Sequence, residues 1–103
     1  MKLPKKLTIL GIPFKIIYFD DGNKVDSRDD KYLYGQLCND DGTMRVLRGK
    51  RPIEDIWQTI WHEVIHSITG QLGSHRKMTE ADVDALSTAI NDFMWRNKLY
   101  EKK

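Results

Sequence analysis

The run His62-Glu63-Val64-Ile65-His66 places two imidazoles four residues apart around a carboxylate. On a helix, such positions share one face about one turn, ~5.4 Å, apart along the axis, so both rings can reach a single ion. Glu63 lies one residue round, where it can touch a metal-bound water more readily than the ion. Two neutral nitrogen ligands, an open water position and a base for the water's proton are what metal-assisted hydrolysis requires, and zinc is the usual ion. By chance this pattern arises in a chain of 103 residues with a probability on the order of a few in a thousand. There is one such cluster, so the expectation is one zinc per chain, with His62 and His66 as ligands and Glu63 as the catalytic base.

The elements that must position these residues can be read from the two halves of the chain. Residues 1–51 hold eleven basic and seven acidic side chains, and every acid is Asp. Residues 52–103 hold six basic and eight acidic, including all four Glu. Asp with Gly and Asn belongs to turns, and Glu to helices, so strands precede helices. In the first half, Leu7–Leu10 and Phe14–Phe19 read as a hairpin joined by Gly11-Ile12-Pro13. Tyr32–Cys38 reads as a third strand, Asn39-Asp40-Asp41-Gly42 as a turn, and Thr43–Leu47 as a fourth strand. Pro52, Glu54 and Asp55 suit a helix start. Apolar residues then recur at Ile53, Ile56, Trp57, Ile60, Trp61, Val64, Ile65 and Ile68, with Gly70 as the expected stop. At roughly 100° per residue, His62 and His66 fall about 170° from the centre of that stripe. Thr79 opens a second helix through a capping box with Asp82, running to about Lys98, with Val83, Leu86, Ile90, Phe93 and Met94 on its buried face. The fold class is α+β: a small, mostly antiparallel sheet, the His62–His66 helix and a C-terminal helix, in one domain over 1–103.

Three positions compete for the remaining ligand. His75 lies nine residues past His66 in a loop. Glu80 and Asp84 put two carboxylates four apart on one helical face, so that one can bind the ion and the other can hold a ligating imidazole. If the two helices are antiparallel, the point opposite the histidines falls nearer Asp84 than Glu80. Glu80 also suits the helix dipole as a first-turn acid. Tyr32, Tyr34 and His75 are each able to give a hydrogen bond to a developing oxyanion, His75 being the best placed. Trp57, Trp61 and Trp95 read as core, Cys38 as a buried small residue at a strand end, and Lys50-Arg51 and Arg76-Lys77 as solvated charge.

The Glu80-Ala81-x-x-Asp84 segment resembles the third-ligand helix of thermolysin-like gluzincins. That resemblance implies that Glu80 ligates zinc and Asp84 orients a ligating histidine. The metzincin extension is absent, because Thr69 and Leu72 stand where its Gly and His would be. More broadly, the chain is similar to the small phage and mobile-element proteins of the ImmA/IrrE type. This implies a minimal zincin-like metallopeptidase acting in the cytoplasm of a bacterial host.

Composition narrows the classes further. The chain is 40% hydrophobic with a net charge of +2 and a mean hydropathy of −0.58. This argues against disorder, against a nucleic-acid partner and against a membrane span. No secretory leader is expected at the N-terminus, and the lone Cys38 fits a reducing compartment. The reading is a zinc peptidase that cuts a specific protein or peptide, such as a regulatory protein, whose extended chain adds to the sheet edge beside Thr43–Leu47. The rival from another class is a non-catalytic, zinc-stabilised protein-binding module using the same surface.

Overall fold

The computed structural model of this chain describes residues 3–20, 34–38, 41–73 and 78–100. Its elements are β1 (Lys6–Ile9), β2 (Ile12–Phe19), β3 (Gly35–Cys38), β4 (Thr43–Leu47), α1 (Ile53–Gln71) and α2 (Glu80–Arg96). The α+β order holds. The strands form one sheet in the order β1-β2-β4-β3. Its two outer ladders are antiparallel and the central one, β2 with β4, is parallel.

Two details of the strands differ from the sequence reading. The hairpin turn is Leu10-Gly11 alone, because Ile9 already faces Ile12 and Pro13 sits in β2 opposite Thr8. More consequentially, β4 is an interior strand, bonded to β2 on one side and β3 on the other. Among the described residues, the outermost strand on that side of the sheet is β3. Alternation along β2 and β4 sends Phe14, Ile16, Met44 and Val46 to one face, where they pack with Ile56 and Ile60 of α1.

Helix α1 runs past Gly70 and stops at Leu72, with Gly73 beyond it at φ 72°. A left-handed residue after the last turn needs the freedom of glycine, and Gly73 supplies it one turn later than expected. Helix α2 opens with the capping box: Thr79 Oγ1 accepts from the Asp82 amide and Asp82 Oδ2 from the Thr79 amide. Its inner face is Val83, Ser87 and Asn91, all buried. Leu86 and Phe93 are outside, at 43% and 58% exposure. The cause is that α2 rests on α1 and no strand packs against it to a comparable extent. Only one stripe of α2 is covered.

The three tryptophans are half-buried, and of them Trp57 packs against the core. Tyr100 lies against Trp57 and Trp95, with ring centroids 4.3 and 5.2 Å away. Its hydroxyl accepts from Trp61 Nε1 at 2.6 Å and donates to Asn91 Oδ1 at 2.7 Å. Cys38 is half-buried at the end of β3. No helix among the described residues is long and apolar enough to cross a membrane.

Met44 is fully buried between the sheet and α1. Met44→Ala should lower unfolding stability by about 2–5 kcal/mol, a large share of the ~5–15 kcal/mol available to a domain. Urea denaturation followed by circular dichroism measures it, with the midpoint falling and the slope unchanged.

Candidate metal centre

Antiparallel packing of α2 on α1 sets the site. Going along α1, Glu54, Gln58, His62 and His66 face Asn91, Ser87, Asp84 and Glu80 in turn. His62 and His66 point between the helices, away from the sheet-facing stripe, as their angular offset from the apolar residues requires.

Three donors converge there. His62 Nε2 and His66 Nε2 are 3.0 Å apart, and the Glu80 carboxylate reaches them at 3.1 and 2.9 Å. His62, His66 and Glu80 thus form a triad able to hold a metal ion, the one such group among the described residues. Tetrahedral ligands about 2.0–2.2 Å from an ion lie roughly 3.3–3.6 Å from one another, so a small outward movement would admit it. Two imidazole nitrogens and one carboxylate are a donor set suited to zinc. Asp84 completes the arrangement from behind, its Oδ1 lying 2.7 Å from His62 Nδ1. That contact puts the proton on Nδ1 and leaves the Nε2 lone pair facing the cluster.

The structure distinguishes the two carboxylates by the imidazole nitrogen that each meets. His62 does stand opposite Asp84, but the shorter side chain meets the near nitrogen, Nδ1. Glu80, one turn earlier and one methylene longer, reaches both Nε2 atoms.

Glu63 is 7% exposed. Burial pushes its carboxyl up to about 7, against the lowering effect of the neighbouring His62 charge and with a smaller raising effect from Glu80. Its wall is β3. A Cβ on Gly35 would lie 2.7 Å from Thr59 Cγ2 and 3.2 Å from Glu63 Cγ, so only glycine lets the strand come this close. An isolated glycine within a strand is the sequence sign of such an approach, and the initial reading passed over it.

A cleft of about 520 Å³ opens beside the centre, lined by residues of α1, by Tyr34 and Gly35 on the β3 side, and by Asp84. Arg51 is not the solvated charge expected of it. Its guanidinium donates to the Leu47 and Asp55 carbonyls and to Thr59 Oγ1, and stacks over the Tyr34 ring at 4.5 Å. Tyr34 is on the rim of the cleft and exposed. His75, Tyr32 and Arg76-Lys77 lie outside the described residues.

Compared with known proteins, the chain matches no family model, no curated protein and no solved structure. What this centre can do rests on its own geometry.

Gly35→Ala should force β3 away from Thr59 and Glu63 and lower stability by about 1–3 kcal/mol. Gly70→Ala is the contrast: nothing lies within 4 Å of its added Cβ, and in a helix the change should stabilise by roughly 0.5–1 kcal/mol. Paired denaturation curves give both signs.

Proposed function

We propose that this chain is a zinc-dependent peptidase. The observation that carries the reading is the convergence of His62 Nε2, His66 Nε2 and the Glu80 carboxylate next to a buried carboxyl, Glu63, that opens onto a cleft. The same residues are those that the likeness to the gluzincins and to ImmA/IrrE-type proteins assigns to zinc, to the base and, in Asp84, to the positioning of a histidine.

Bound at the triad, zinc supplies a water of lowered pKa and polarises a carbonyl. The chain's residues do the rest. Asp84 holds the His62 ring in the productive tautomer. Glu63 takes the proton of the attacking water and returns it to the leaving amine nitrogen. Its dry seat under β3 keeps the carboxyl basic enough for that exchange. The peptide lies in the cleft beside Gly35, Gln58 and Tyr34, where its carbonyl can approach the triad and Glu63. A purely structural zinc centre gives no reason to bury an ionisable Glu63 at the mouth of a cleft, which favours the enzyme over a binding module.

Metal analysis of the purified protein should give one zinc per chain. His62→Ala and His66→Ala should each abolish it, and Asp84→Asn should weaken zinc affinity by about 10–100-fold. Zinc content unaltered in both histidine variants would remove the centre.

Glu63→Gln separates catalysis from binding. The variant should keep zinc and fold while losing peptide hydrolysis by at least ~10²–10⁴-fold. A proteome-wide comparison of new protein termini, wild type against Glu63→Gln, supplies the substrate. Equal cutting of that substrate by both proteins would overturn the mechanism.

A further inference from the structure

Helix α2 carries more apolar surface than the fold covers. Leu86 and Phe93 are 43% and 58% exposed, seven residues apart and within about 20° of one another on the helix. Ala89, exposed, and Ile90, half-buried, lie between them on the same side. Isolated exposed apolar residues elsewhere, such as Leu10, are ordinary. A contiguous stripe along one helix is a contact surface.

We propose that this stripe is the interface of an antiparallel, two-fold homodimer formed through α2. A two-fold axis between Ala89 and Ile90 sets Leu86 against the partner's Phe93 and the reverse. The small Ala89 side chain near the axis lets the helices approach closely. Charge selects the same arrangement. Asp82 and Arg96 flank the stripe on one edge, about 40° apart, at nearly equal distances from the axis. The two-fold therefore brings Asp82 beside the partner's Arg96 at both ends. Arg96 is already oriented by Asp92, whose two carboxylate oxygens take its Nε at 2.9 and 2.8 Å. Glu80 and Asp84 point about 120–180° away from the stripe, so the dimer leaves the metal centre and its cleft open. A stripe of four apolar side chains is few against the ~20–30 residues a side of a standard interface, which makes the association reversible and concentration-dependent.

Sedimentation equilibrium over ~10 µM to ~1 mM protein tests it. The weight-average mass of the wild type should climb from 12.1 kDa toward twice that value, while a Leu86→Glu/Phe93→Glu variant stays at 12.1 kDa throughout. Both positions are exposed, so the variant's thermal melt should match the parent's. In a Cys38→Ser background, Ala89→Cys should oxidise to a covalent dimer, and Ala81→Cys, exposed on the other side of α2, should not. A wild type that remains at monomer mass at every concentration overturns the proposal. So does association that survives the double glutamate substitution, or equal cross-linking at both cysteines.

Discussion

Gln58 donates to Ser87 at 2.8 Å and Asn91 donates to the Glu54 carbonyl at 3.0 Å, and these two bonds across the helix pair fix the register on which the centre depends. Apolar helix surfaces alone slide past one another in steps of a turn at little cost. A slip of one turn, about 5.4 Å, would bring Asp84 opposite His66 and leave His62 without a carboxylate. Ser87 and Asn91 are buried, at 0% and 7% exposure, so breaking their bonds would strand polar groups away from water. That penalty specifies one alignment. Tyr100 extends the lock by joining Asn91 to Trp61.

The two carboxylates of the site are treated in opposite ways. The Glu80 side chain is 71% exposed, and it meets the histidines from the solvent side as the first residue of α2. Glu63 is held beneath β3, where Gly35 admits the strand to contact distance. A ligand must be ionised and free to adjust around an ion. A buried carboxyl has its charged form disfavoured and so takes up a proton more readily, which a dry environment such as that of Glu63 encourages. The fold thus separates the two carboxylates by depth, as the proposed division into ligand and base requires.

Much of this was legible in the residues. The convergence of His62 and His66 followed from their spacing, and the Thr79–Asp82 capping box fixes where α2 begins and hence where Glu80 stands. The strands followed from turn signals and alternation. The partition between Glu80 and Asp84 was not legible from spacing, because it turns on side-chain length and on which imidazole nitrogen faces which carboxylate. The interior place of β4 was hidden because strand order is a long-range property that local pattern does not carry. Leu86 and Phe93 were read as core by periodicity, which registers apolar character and is blind to whether a partner element exists. Arg51 looked like one of several surface cations until Leu47, Asp55 and Thr59 came together around it.

The parallel ladder at the centre of the sheet bears on how the chain reaches this state. Lys15 pairs with Thr43, 28 residues further on, and the pairing continues to Phe19 and Leu47. The β1–β2 hairpin and the α1–α2 pair join neighbours in sequence and can form early and locally. The β2–β4 ladder must wait for a long loop to close, and loop-closure entropy opposes it until the Met44 and Val46 side chains find α1. Folding speed is therefore limited by non-local joints such as this ladder, and the helix pair that carries the histidines can assemble before β3 closes over Glu63.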